Sequence, residues 1–235
     1  MKKSKKNEKN ITKYTIILVV TNALLIVAIF LLLISKSVPI VEKEYINVDN
    51  KHDLKNENIV FLGDSITDWY PFEEMYSNDI PIVNSGIAGY ETKDILNRMD
   101  DLVYKFNPTK VFILIGTNDI KYEEDDEQVV VDNIKKIIKE IKKNRPNTKV
   151  YITSIFPVNR ELKYHAAEER YNGEILKINK GIKNYCKENN ITYINMYDEL
   201  IDSKGNLKKE YTVDGLHLSK TGYVKYTSKL LQYIY

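Results

Sequence analysis

The 235 residues include one cysteine, three histidines, nine glycines, six prolines and no large excess of either charge sign. With only Cys186 present, no internal disulfide can form, so the folded part must be held by its core. The low glycine and proline content excludes collagen-like and low-complexity chains. His52, His165 and His217 lie far apart and offer, with one cysteine, no metal-ligand spacing. What is present is 43% hydrophobic and 29% charged, the composition of a globular chain with about one domain.

Lys and Arg number 35 against 33 Asp and Glu, a formal +2, but the sum is uneven along the chain. Residues 1–13 hold six lysines and one glutamate, residues 14–35 no charge, and the remainder is left with −3. A nucleic-acid-binding domain concentrates positive charge on its folded part, so this balance speaks against nucleic acid. Within residues 14–35 the apolar run from Ile16 to Ile34 is interrupted only by Thr21 and Asn22. As a helix the segment is about 30 Å long, enough to cross a hydrocarbon core, and one transmembrane helix is expected there. A cleaved signal has a shorter apolar stretch and a small-x-small site, for which Ser35-Lys36-Ser37 is a poor match. Only Lys36 and Lys43 occur in the fifteen residues after the run, so the basic tail 1–13 is expected in the cytoplasm and the rest outside the membrane. Residues 36–57 are polar without a sustained period and read as a stalk; residues 58–235 form the domain.

In that domain, short β-branched runs alternate with longer amphipathic ones. Strands are expected at 59–62, 82–83, 111–115, 150–155 and 191–194, several too continuously apolar to have a wet face. Helices are expected at 92–106, 127–143, 166–189 and 219–233. In the second, Val130, Ile134, Ile137, Ile138 and Ile141 fall on one face, and Arg145-Pro146-Asn147 stops it. Alternating strands and helices favour an α/β fold with a buried parallel sheet, whose ligands lie beyond the carboxyl ends of the strands.

Four loops at such ends carry chemistry: Gly63-Asp64-Ser65, the stretch 84–89 (NSGIAG), Gly116-Thr117-Asn118-Asp119 and the stretch 214–218 (DGLHL). A serine hydroxyl needs a base to become a nucleophile, and His217 is the candidate. Asp214, three residues earlier, can fix the imidazole tautomer. The oxyanion formed on attack needs preorganised donors, and the backbone N–H groups of Ser65 and Gly86 and the side-chain amide of Asn118 are the candidates. A glycine at 86 suits close approach of backbone to substrate. Taken singly, each block has a plainer meaning: Ser65 or Asn118-Asp119 a helix cap, the glycines turns, His217 a structural residue. Together, in order at successive strand ends, they make an acyl-transfer set.

These blocks resemble the SGNH (GDSL-type) hydrolases, with Ser65, Gly86, Asn118 and His217 at the four naming positions, over about residues 58–235. The forms SGIAG and DGLHLS look closest to the small acetylhydrolase-like branch. The resemblance implies a flavodoxin-like, three-layer α/β/α sandwich with a five-stranded parallel sheet, neither metal nor organic cofactor, and ester hydrolysis through an acyl-serine. It also implies Ser65, Asp214 and His217 as the catalytic triad and Ser65, Gly86 and Asn118 as the oxyanion hole.

The expectation is therefore a membrane-anchored extracytoplasmic serine esterase acting on short acyl or acetyl groups, with cell-envelope glycans the preferred substrate. Lysophospholipase or thioesterase activity, glycan O-acyl transfer and a non-catalytic envelope-binding module are the alternatives. His52 and His165 are expected to be solvated or structural, Asp64 and Asp119 to brace their loops, and most of the eighteen tyrosines to be half-buried core. Phe156-Pro157-Val158 is divided equally between lining an acyl pocket and ordinary packing.

Overall fold

The computed structural model describes residues 56–77, 80–121 and 126–235. All belong to the second of two units into which the chain divides, Asn50–Tyr235. The expected tail, the membrane segment 14–35 and almost all of the stalk lie outside the described residues. Among the described residues no helix is long and apolar enough to cross a membrane.

Five parallel strands, β1 (Ile59–Gly63), β2 (Ile82–Gly86), β3 (Lys110–Leu114), β4 (Lys149–Thr153) and β5 (Thr192–Ile194), form one sheet in the order β2-β1-β3-β4-β5. Alternate strand residues point to opposite faces and enter different apolar clusters. Val60, Leu62, Val111, Ile113, Val150 and Ile152 pack with Ile134, Ile137 and Ile138 of one helix and Ile175, Ile178 and Ile182 of another. Ile59, Phe61, Phe112 and Leu114 pack instead with Tyr223, Tyr226, Leu230 and Ile234 near the C-terminus. Helices thus cover both faces, the three-layer α/β/α arrangement expected from the sequence. The register places Phe61, Phe112 and Tyr151 side by side on three strands, and their rings stack at 4.9 and 4.6 Å between centroids.

The helices that position the site and the core are α1 (Ser65–Asp68), α2 (Thr92–Asn97), α3 (Glu127–Asn144), α4 (Asn172–Glu188) and α5 (Lys220–Ile234), with other helical turns of three or four residues between them. Helix α3 starts where Asp126 accepts a bond from Gln128 N–H, and it buries Val130, Val131, Ile134, Ile137, Ile138 and Ile141. Each buried aliphatic contributes about 1.5–3 kcal/mol, so this face fastens the helix without help from propensity. Helix α5 begins at the cap Ser219, and its last turn is held by Lys110, whose buried ammonium donates to the Ile234 carbonyl at 2.7 Å.

Two expected helices are broken. The stretch 92–106 divides into α2, a turn at Met99–Leu102 and a 3-10 turn at Tyr104–Phe106. It contains Asn97, Asp100 and Asp101, poor helix formers, and Arg98 leaves helical geometry at φ −131 to bond Tyr90 and Asp101. The stretch 166–189 divides into a turn at His165–Glu168 and α4, because the chain between them turns Arg170 inward. Strand β2 runs three residues longer than expected, through Asn84, Ser85 and Gly86. Phe156 and Val158 are buried, one in each apolar cluster, which settles their divided reading in favour of packing.

Candidate active site

In a sheet of this order the direction in which successive strands are added reverses between β1 and β3, which is where ligands bind in such folds. Three of the four sequence blocks leave β1, β2 and β3 at that edge, where Gly63 pairs with Gly86 on one side and Leu114 on the other.

Asp64, only 1% exposed, caps α1 by accepting the Ile66 N–H at 3.0 Å. Because the cap falls to Asp64, Ser65 is the first helical residue and its hydroxyl is free for another partner. Its N–H, at the first position of a helix, has no intrahelical acceptor. The hydroxyl meets His217 Nε2 at 2.9 Å. On the other side of the ring His217 Nδ1 lies 2.6 Å from Asp214 Oδ2. Asp214 Oδ1 accepts the backbone N–H groups of His217 and Leu216 at 2.8 and 3.0 Å, so one carboxylate holds both the ring and its loop. Burial by itself would raise the Asp214 pKa, but the bonds from the His217 ring and the two N–H groups outweigh it and hold the carboxyl below its ordinary range. With a carboxylate against Nδ1–H, Nε2 is left to accept from Ser65. The Asp214-to-His217 turn depends on Gly215, at φ +83, and on Thr212, whose Oγ1 donates to the His217 carbonyl and accepts from Gly215 N–H.

Two of the expected oxyanion donors are held from behind. The Asn118 amide donates to the Tyr90 carbonyl at 3.0 Å and accepts from Arg170 at 3.0 Å. The Gly86 N–H donates to Asn84 Oδ1 at 2.9 Å and is engaged within the protein. Glycine at 86 has a reason different from the expected one. A Cβ there would sit 2.2 Å from Asp68 N and 2.6 Å from the Thr67 carbonyl carbon. The residue lets α1, and with it Ser65, lie against β2.

Two neighbours were not singled out from the sequence. Trp69, the sole tryptophan, lies four residues after Ser65 and sets its ring 4.3 Å from the His217 ring, yet is 53% exposed. Its nearness in sequence to Ser65 was the one readable signal. Arg170 had none, sitting in a polar stretch with no period. Asp119 braces as expected, accepting from Thr92 N–H and from the Thr92 hydroxyl. His165 is exposed beside Glu168. Among the described residues no group of three or more His, Cys, Asp or Glu could hold a metal ion.

A family model described as GDSL-like lipase/acylhydrolase matches residues 61–225. The chain belongs to the GDSL-like lipase/acylhydrolase family. A solved structure from Streptococcus pneumonia, provisionally described as a platelet activating factor, is 37% identical, covering 76% of this chain and 84% of that one at a TM-score of 0.72. A GDSL-like lipase from Bacteroides thetaiotaomicron is 27% identical over 76% of this chain and 87% of that one, with a TM-score of 0.64. Among curated proteins, an N-acylneuraminate cytidylyltransferase of Escherichia coli O18:K1:H7 is 30% identical over 200 residues, 81% of this chain. The chain spans 45% of the length of that curated relative.

Proposed function

We propose that this family member is a serine esterase that removes small acyl groups, acetate foremost, from a cell-envelope glycan. The observation that carries the reading is the unbroken line of short contacts from Asp214 Oδ2 through His217 to Ser65 Oγ. Ser65 Oγ attacks the ester carbonyl while His217 Nε2 takes its proton, and Asp214 stabilises the imidazolium that results. The oxyanion is held by the Ser65 N–H, the Asn118 amide and the Gly86 N–H, the last shared with Asn84 in a three-centre bond. His217 then protonates the leaving alcohol, freeing it and leaving an acyl-serine. Water attacks the acyl-serine by the same route and releases the acid.

Trp69 supports a sugar as the alcohol. It offers an exposed aromatic face beside the histidine that protonates the leaving group, a surface suited to the apolar face of a pyranose ring. The curated relative, named for N-acylneuraminate, adds a second pointer to a sugar substrate. Phe156 and Val158 are committed to the core, which favours a short acyl group. In this reading residues 14–35 anchor the chain by a single span, residues 36–57 form its stalk, and the domain works outside the membrane, a topology supported by the apolar run and the lysine asymmetry.

Replacing Ser65 with Ala tests the core of the reading: p-nitrophenyl acetate hydrolysis should fall by about 10³-fold or more with folding retained. An unchanged rate eliminates Ser65 as nucleophile. A series of p-nitrophenyl esters should favour the shortest chains, and an optimum at about eight carbons or longer would replace the short-acyl reading with a lysophospholipase. O-acetylated glycans, an O-acetylated N-acylneuraminate among them, complete the panel.

A further inference from the structure

Arg170 is 6% exposed, and each of its three nitrogens donates to an oxygen: Nε to the Thr117 carbonyl at 2.8 Å, Nη1 to the Ala166 carbonyl at 2.6 Å and Nη2 to Asn118 Oδ1 at 3.0 Å. None of the ion pairs among the described residues includes it. A buried guanidinium without a carboxylate in direct contact is costly to keep. Two of its three bonds go to consecutive residues, Thr117 and Asn118, of the loop leaving β3.

The consequence falls on the Asn118 amide. An asparagine side chain can present either its oxygen or its NH₂ in a given direction, and its partners choose. Here Oδ1 faces a group that can only donate, and one N–H faces the Tyr90 carbonyl, which can only accept. Flipping the amide would set donor against donor and acceptor against acceptor. Without Arg170, only the Tyr90 bond would oppose the flip. The guanidinium also withdraws electron density from Oδ1, which strengthens the donor character of the remaining N–H. We propose that Arg170 is a positioning residue that locks and polarises the Asn118 amide so that its second N–H is delivered to the oxyanion. The proposal rests on the esterase reading above.

The test is a double-mutant cycle on the full-length protein with p-nitrophenyl acetate. Arg170→Lys keeps a charge but cannot make three forked bonds, and Arg170→Gln, a neutral second variant, serves if the first does not fold. Either change should lower kcat by about 10- to 100-fold while KM moves by less than about 3-fold, the split expected when a donor is lost from the transition state alone. In an Asn118→Ala background the same change should alter kcat by less than about 2-fold, because the amide through which Arg170 acts is gone. Thermal unfolding measured on all four proteins reports any purely structural effect, which would persist in both backgrounds. Equal kcat losses with and without Asn118, or an undiminished kcat in the Arg170 variants, would overturn the positioning role while leaving the esterase reading intact. A wild-type rate no higher than that of Ser65→Ala would instead remove the esterase reading, and this inference with it.

Discussion

Replacing Asp64 with Asn should stabilise the protein increasingly as pH rises. Asp64 is buried beneath the site, and desolvation lifts its carboxyl from an ordinary value near 3.8 to about 7, against the opposing pull of the Ile66 N–H bond and the Arg170 charge. The unfolded chain releases this proton near pH 3.8, whereas the folded protein holds it until about pH 7. The folded state therefore has its full advantage below the lower value and loses it as pH climbs through the upper one. A shift of this size corresponds to about 4 kcal/mol at most, reached once both states are ionised. Asparagine keeps an oxygen for the Ile66 N–H, so the cap on α1 survives while the titration disappears. Urea unfolding near pH 4, 6 and 8, followed by the fluorescence of the sole tryptophan, Trp69, gives the stability difference between variant and wild type. Groups common to both proteins cancel in that difference. It should be smallest near pH 4 and grow in favour of the variant toward pH 8. A difference that is flat, or that shrinks with pH, would refute the idea that Asp64 is held protonated by burial.

Three further outcomes follow from the contacts described. Gly86→Ala should lower kcat by at least about 10²-fold, since its methyl must displace the α1 backbone that carries Ser65; wild-type kcat would show that α1 can shift without consequence. Asp214→Asn keeps an oxygen for the two backbone N–H groups but no longer fixes the imidazole, so the thermal midpoint should stay near wild type while kcat drops by about 10³- to 10⁴-fold, and retention of a tenth of the activity would contradict the role given to it. Cys186 is buried in α4 and its thiol is pushed up to about 11, so it should resist a disulfide-exchange reagent in the native protein and react on unfolding; rapid native labelling would show that α4 is not packed as described.

The sheet was legible because its signal is local. Runs such as 59–62 and 111–115 are apolar on every residue, and a strand wet on one side cannot be, so burial on both faces follows from the letters. Helix α3 was legible for the same reason: its five or six aliphatics return every three or four residues. The broken helices were not, since Arg98 and Arg170 leave helical geometry for partners that a local pattern does not register. Likewise the serine block reads as a cap or a nucleophile until the fold gives the cap to Asp64 and leaves the Ser65 hydroxyl to His217.

By itself, the sequence determined where the apolar strands run, and therefore that the blocks holding Ser65, Gly86 and Asn118 gather at one edge of a parallel sheet; His217 follows no strand and was brought there by the fold. The sequence also determined the apolar run and lysine asymmetry from which the anchor is proposed. Only the tertiary structure decided how those residues are held: Ser65 against His217 across 152 positions, Arg170 behind Asn118 across 52, the Gly86 N–H turned toward Asn84, and Trp69 laid on the imidazole. Propensity and periodicity act over a few neighbouring residues, whereas the orientation of an amide or a buried charge is set by whichever groups the folded chain brings within about 3 Å of it.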